Sequence, residues 1–401
     1  MHNLYSSQRS GTLCTAWSRW AGRLLAGLLL MTAFASDLFG QATKPTYVLS
    51  TGFFTVNGKI YDKNGNEFVM RGVNSTNSWG DEVKNLDVLS NQIKKSKSNA
   101  VRIMTKTFYN DQSNTPAKKR DLVRRAVEAQ LVPVLTTHDG TCNGTYDDAN
   151  MADGALGLKQ VVDHWLLPEN VQLMKDYEGQ LILNIANEWG PEDGYAWKEA
   201  YKTSITRLRN AGINNMLMID PGNCGQNPIQ IRDYGQELIN HDPQHNVVFG
   251  LHLYAFWRTA GQTGVGAWCS GPDCPPWRYE DRIQELIDRK LPVVIGEFGY
   301  PSAEVPYETI KVMTTNQQKG IGWLAWSWQP GNTTPELDMT KAHVYNSDAD
   351  LTPWGVLAIT QATYGIKATA VPATIWGTSD TQAPTAPTNL ASPGKTASSV
   401  S

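Results

Sequence analysis

Short apolar runs rich in branched residues recur along the chain and alternate with longer stretches whose apolar positions fall at helical spacing. The runs are Phe68–Gly72, Ala100–Met104, Leu131–Thr137, Leu181–Ala186, Met216–Asp220, Val247–His252, Pro292–Glu297 and Gly322–Trp328, eight in all. Between the first two, segment 82–97 sets Val83, Leu86, Leu89 and Ile93 at helical spacing. Further helix-like segments cover about 117–130, 155–176, 195–211, 229–240, 278–289 and 304–318. Runs apolar on both faces and separated by helices imply a parallel sheet. Eight such units imply an α/β fold, a closed (β/α)8 TIM barrel. A doubly wound open sheet is the alternative, but no G-x-G-x-x-G follows the first strand, which weakens a dinucleotide reading. Ahead of the first run, Val56-Asn57-Gly58-Lys59 places an Asn-Gly turn between short alternating runs and predicts an N-terminal β-hairpin.

The two ends depart from this pattern. Arg9, Arg19 and Arg23 precede or open an apolar run over 24–35, with Ala33-Phe34-Ala35 as a small-x-small cleavage site and Gln41-Ala42 as a later one. Residues 1–42 therefore read as a signal peptide, with an uncleaved anchor as the alternative, and predict a secreted protein. The barrel domain is expected over 43–377. Residues 378–401 are rich in Ser, Thr, Pro and Ala and read as linker; they also resemble the opening of a fibronectin type III module.

Composition narrows the function. A net charge of −3 gives no electrostatic case for nucleic acid or anionic membrane. The chain holds 14 Trp, which serve either a packed core or flat platforms for sugar rings, and only position separates the two. Cys14 falls in the leader, leaving Cys142, Cys224, Cys269 and Cys274, an even number that fits disulfides in an exported chain. Cys269 and Cys274 enclose only a turn-like SGPD, so that pair and Cys142–Cys224 are expected. A zinc site would need closely spaced ligand pairs, which Cys142 and Cys224 do not form.

In such a barrel the active site lies at the C-terminal ends of the strands. The polar residues there are Arg102, His138 and Asp139, Asn187 and Glu188, His252 and Tyr254, and Glu297, with Trp326 and Trp328 in the last run. Two carboxylates flanking a scissile bond are the minimal machinery of a glycosidase, one protonated to assist the leaving oxygen and one ionised. Either glutamate alone suits a salt bridge or a solvated loop. Glu188 and Glu297 together, with Asn, His, Tyr, Arg and Trp at the same mouth, point to that machinery.

LILNIANEWG, VVIGEFG and GWLAWSW resemble glycoside hydrolase family five, in particular its bacterial β-mannanase branch, which reads Asn-Glu-Trp where most of the family has Asn-Glu-Pro. FVMRGVN, THDGT, LKQVVDHWL, ITRLRNAGINNMLMID, GQNPIQIRDYG and HDPQHNVVFGLHLY extend the resemblance over about residues 47–365. It implies a retaining endo-β-1,4-mannanase with no metal or organic cofactor. Glu188 would be acid and then base, and Glu297 the nucleophile. Asn187 would hold the sugar 2-hydroxyl, and Arg102 and Tyr254 would hydrogen-bond Glu297. His138 and His252 would bind hydroxyls or tune the acid. Trp326 would stack under the sugar, with Trp328 bordering it. Chemistry asks for a raised pKa on the acid, and a cation such as Arg102 would lower that of the nucleophile.

Two segments depart from the branch. It usually carries His-Ala-Trp after strand one, whereas here the chain reads Asn77-Ser78-Trp79, keeping Trp79 as a platform without the His contact. After strand six the loop YAFWRTAGQTGVGAWCSGPDCPPW is longer and more aromatic, with Phe256, Trp257 and Trp268 either extending the cleft or capping it. Loops set specificity on a shared barrel, so an endo-β-1,4-glucanase is the neighbouring reading. A non-catalytic carbohydrate-binding protein and a metal-dependent barrel hydrolase are the alternatives from other classes. The expected partner is a β-mannan or β-glucan polysaccharide, acted on by a monomer.

Overall fold

The computed structural model describes residues 41–76, 88–107, 114–148, 155–262 and 271–376. The linker, Trp79, Trp268, Cys269 and all but the last two residues of the expected leader lie outside them.

Strands β1 (Phe54–Val56) and β2 (Lys59–Tyr61) form the predicted antiparallel hairpin. Its turn holds Asn57 and Gly58 at φ 52° and 79°, the left-handed pair that Asn-Gly accepts and most residues resist. Eight parallel strands then close a barrel: β3 (Arg71–Ser75), β4 (Ala100–Thr105), β5 (Val132–Thr137), β6 (Ile182–Asn184), β7 (Leu217–Ile219), β8 (Val247–His252), β11 (Val293–Glu297) and β12 (Gly322–Ala325). Two short strands, β9 (Trp257–Arg258) and β10 (Trp277–Arg278), pair with each other in the long loop after β8. The fold is the predicted (β/α)8 barrel with its hairpin.

Helices α1 (Pro116–Glu128), α2 (Leu158–Trp165), α3 (Pro168–Asp176), α4 (Gly194–Asn210), α5 (Pro228–His241), α6 (Tyr279–Asp288) and α7 (Thr309–Lys319) cover the outside. Residues 155–176 hold two helices rather than one, because Pro168 has no N–H to continue the first and opens the second. Of 82–97 only 88–96 is described, as a π turn over Val88–Gln92 and a 3₁₀ turn over Ile93–Ser96. The first barrel strand starts at Arg71, later than the run at Phe68 suggested. Phe68 instead donates its N–H to Ile60 O in the hairpin, and its ring packs against Phe53.

Side-chain alternation divides the strands into two populations. Val101, Ile103, Leu135, Leu183, Leu217, Ile219, Phe249, Leu251, Ile295 and Trp323 join the layer packed under the helices. Ala100, Val132, Val134, Ile182, Met216, Met218, Val248, Val294 and Leu324 fill the barrel with Phe53, Ile60, Phe68 and Met70. Among the described residues, no helix is long and apolar enough to cross a membrane.

Candidate active site

Toward the C-terminal ends of the same strands, the interior positions turn polar. Asn74, Arg102, Asn184, Asp220 and His252 are all fully buried. Arg102 is the hub: Nη1 donates to Glu297 Oε1 at 2.7 Å and Asn74 Oδ1 at 3.2 Å, and Nη2 to Asn187 Oδ1 at 2.7 Å. Nε and Nη2 both reach Asn184 Oδ1, at 2.9 and 2.7 Å, and Nη2 lies 3.3 Å from Asp220 Oδ2. A planar guanidinium suits this task because its donors diverge in fixed directions. Asn184, polar within an apolar run, is thereby accounted for: it accepts from Arg102 and donates to Asp220 Oδ1 at 3.0 Å.

Glu297 enters the interior through a β-bulge. On β11, Ile295 pairs with Leu251 and Glu297 with His252, so Gly296 and Glu297 together face one residue of β8. Strict alternation would send Glu297 outward with Ile295; the bulge turns its carboxylate inward. There Tyr254 Oη donates to Oε2 at 2.8 Å, so both carboxylate oxygens are held. Glu188 sits beyond β6 with φ 51°, a left-handed conformation unusual for glutamate. Its N–H donates to Asp220 Oδ2 at 3.0 Å, and its carbonyl accepts from Cys142 N–H at 3.1 Å. Its Oε1 lies 2.8 Å from His252 Nδ1. Gly225, at φ +75°, backs this pair; a Cβ there would fall 2.9 Å from the His252 ring and 3.1 Å from Glu188 Cγ.

One ligand-type atom each of Glu188, His252 and Glu297 lies within 4.8 Å of the other two. Those types also suit a metal, but both oxygens of Glu297 and Nδ1 of His252 already have protein partners. The two glutamates open onto a cleft of about 370 Å³ lined also by His138, Tyr254 and Trp326. Trp326 is anchored there by its Nε1, which donates to Asn332 Oδ1 at 2.7 Å. A larger apolar groove of about 480 Å³ beside Tyr300, Ile310 and Val356 holds one carboxylate, Glu308, which pairs with Lys311 at 2.8 Å. It lacks opposed ionisable groups.

Burial and then the Asp220 charge push the Glu188 carboxyl up to about 8. Burial also raises Glu297, against the pull of His252, Arg102 and the Tyr254 hydrogen bond. Arg102 therefore does not hold Glu297 below the ordinary carboxylate range as expected, because desolvation outweighs it. Burial drives His138 down to about 3 and lowers His252, so both imidazoles are neutral near pH 7.

Cys142 and Cys224 form the expected disulfide, tying the loop after β5 to the loop after β7 on either side of Glu188. Cys274 is disulfide-bonded too. One expected contact differs. Trp328 is fully buried, edge-on to Tyr345 with centroids 5.2 Å apart, and belongs to the core rather than to the cleft border. Asn187 is fully buried: its Oδ1 accepts from Arg102, its Nδ2 donates to Thr141 Oγ1 at 2.8 Å, and its amide also hydrogen-bonds Glu188. Trp257 is buried as well, packed on Trp277 and Tyr279, which fits the capping alternative. Asp220 and Asn74 were not among the candidates. The run Met216–Asp220 ends on a carboxylate in the same way as Pro292–Glu297, a signal that was available in the sequence.

The family model described as cellulase, glycosyl hydrolase family 5, matches residues 61–332. The chain belongs to glycosyl hydrolase family 5. This family 5 hydrolase is 32% identical over 326 residues to a mannan endo-1,4-beta-mannosidase of Salipaludibacillus agaradhaerens, spanning 81% of the chain and 96% of the relative. It is 30% identical to another of that description from Streptomyces lividans, over 89% and 85% of the two chains. Among solved structures, the beta-mannanase of Thermomonospora fusca superimposes with a TM-score of 0.69 at 27% identity, covering 82% of this hydrolase and all of that chain. That beta-mannanase has also been solved as a mannohexaose complex.

Proposed function

We propose that this family 5 hydrolase is a secreted, retaining endo-β-1,4-mannanase. The observation that supports the mechanism is the approach of Glu188 and Glu297, one carboxylate oxygen of each lying within 4.8 Å of the other. Carboxyl groups roughly 5–5.5 Å apart leave no room for a water between nucleophile and sugar, whereas inversion needs about 6.5–9.5 Å. The substrate reading is supported by the relatives, which are described as mannan-cleaving and include one solved with mannohexaose.

In the first step Glu297 attacks the anomeric carbon while Glu188 gives its proton to the departing oxygen. Arg102 and Tyr254 hold the two oxygens of Glu297, so the attacking lone pair is aimed before substrate arrives. The bond to the leaving sugar breaks and an ester to Glu297 forms. That ester removes one negative charge from the buried cluster, which lowers the pKa of Glu188 and fits it to act as base. In the second step Glu188 takes a proton from water, the water oxygen attacks the same carbon, and Glu297 leaves as carboxylate. Trp326 offers an aromatic face to the sugar at the cleavage point, and neutral His138 a hydroxyl partner. The bell-shaped kcat/KM profile expected of such a pair has its alkaline limb near 8, set by Glu188.

Export is supported by the leader-like first residues and by the disulfide, which persists in oxidising compartments. A panel of galactomannan, glucomannan and carboxymethylcellulose tests the substrate reading. Release of reducing ends from galactomannan with little from carboxymethylcellulose is expected; activity on carboxymethylcellulose alone would replace mannanase by endoglucanase.

A further inference from the structure

We propose that Asp220 is the positioning residue for the acid: it fixes the Glu188 backbone and, through His252, keeps the Glu188 proton in place. The inference rests on the reading of Glu188 as the acid and goes beyond it by assigning what makes it one.

Asp220 follows β7 and is fully buried at the centre of the polar layer. Its Oδ2 accepts the Glu188 N–H at 3.0 Å, which holds a glutamate at φ 51°. Its Oδ1 accepts from Asn184 at 3.0 Å, an amide pinned in turn by Arg102. The carboxylate therefore cannot swing away without breaking the Arg102 cluster.

The third contact concerns the proton. His252 Nε2 lies 3.5 Å from Asp220 Oδ2, while Nδ1 of the same ring lies 2.8 Å from Glu188 Oε1. Nε2 has no hydrogen-bond partner and no access to solvent. A ring nitrogen facing a carboxylate at that distance carries its hydrogen rather than its lone pair. Nδ1 is then the acceptor, and the atom that donates to it is the Glu188 carboxyl O–H. One carboxylate thus selects the imidazole tautomer that accepts the acid's proton, and its negative charge disfavours ionisation of Glu188 directly. The ionisable groups around Glu188 are Arg102 from β4, His138 after β5, Asp220 after β7, His252 and Tyr254 at the end of β8, and Glu297 from β11. Of these, Arg102 opposes the effect, the imidazoles are neutral near pH 7, and the repulsion between the two glutamates raises Glu297.

The test is the pH dependence of kcat/KM for the full chain and its Asp220→Asn variant. Two substrates are compared, mannan and a 2,4-dinitrophenyl β-manno-oligosaccharide, whose leaving group departs without a proton. On mannan, Asp220→Asn is expected to move the alkaline limb down by about one pH unit, a roughly fivefold loss at pH 8 that approaches tenfold above it. Activity on the dinitrophenyl substrate should stay within about threefold, and the variant should add no further shift in a Glu188→Gln background. Equal losses on both substrates with the limb unmoved would overturn the inference and leave Asp220 a merely structural residue. If Asp220→Asn does not fold, Asp220→Ser, which still offers an acceptor to the Glu188 N–H, is read by the same criteria. Should Glu188→Gln itself keep full activity on mannan, the acid assignment fails, an outcome distinct from failure of the Asp220 inference.

Discussion

The two halves of the barrel interior are built from the same strands and have opposite contents. Toward the N-terminal ends, Ala100, Ile182, Met218, Val248 and Leu324 meet the hairpin plug of Phe53, Ile60 and Phe68. Two residues further along the same strands stand Arg102, Asn184, Asp220 and, two alternations beyond Val248, His252. The lower half is stabilised by apolar burial, which is tolerant of detail. The upper half is a set of charges and amides tied together through Arg102 and Asp220, and such a set is costly when one member is removed. The contrast separates what holds the barrel together from what works at its mouth.

Arg102→Leu breaks the contrast most severely. It leaves Glu297 and Asp220 buried without their shared cation, a cost of about 3–5 kcal/mol in stability, with mannan hydrolysis down by three orders of magnitude or more. Calorimetry and kcat/KM on the same sample check both. Met218→Ala in the lower half is expected to cost about 2–5 kcal/mol of unfolding free energy, read from denaturant titration. It should leave kcat at 25 °C unchanged, since the cavity lies in the apolar half.

Replacing Cys142 and Cys224 together by Ser removes a bridge across 82 residues, and about 2–4 kcal/mol of stability should go with it. Because the bridge positions the Cys142 backbone N–H that holds the Glu188 carbonyl, kcat/KM should fall more on mannan than on an aryl glycoside with an acidic leaving group. Glu188→Gln sharpens the comparison with the smallest effect and the opposite sign. The folded Glu188 titrates at about 8 against an ordinary 4.5, so its contribution to stability is full below the ordinary value and is lost as pH rises toward 8. The amide escapes that loss. The variant should melt higher than the parent by about 0.5–2 kcal/mol at neutral pH, with the gain growing from pH 5 to pH 8 and vanishing in acid.

The lower half was the legible half. Apolar runs bounded by helices dictated a parallel barrel, and the Asn-Gly turn dictated the hairpin, because both follow from periodicity alone. The mouth was legible where a residue of rare chemistry falls within a run or just past its end, as Glu188, Glu297, Arg102, His252 and Tyr254 do. It was less legible where three-dimensional facing decides the matter. Trp328 and Trp326 sit two apart in one motif, yet one is core and the other lines the cleft, because the chain has already left β12 at Ala325. The place of Asp220 at a run's end was legible, but nothing in sequence links it to Glu188. Its partners come from other strands, and the link is a backbone N–H that any residue at 188 would offer. The bulge that turns Glu297 inward was likewise invisible, since Gly-Glu after an alternating run reads the same with or without it.

The close approach of Glu188 and Glu297 favours double displacement over single displacement by water. Proton NMR of the first sugar released from a defined β-manno-oligosaccharide, recorded before mutarotation, tests it most directly. The new reducing end is expected to appear first as the β-anomer and to relax to the equilibrium mixture. A first-formed α-anomer would mean single displacement by water and would contradict it.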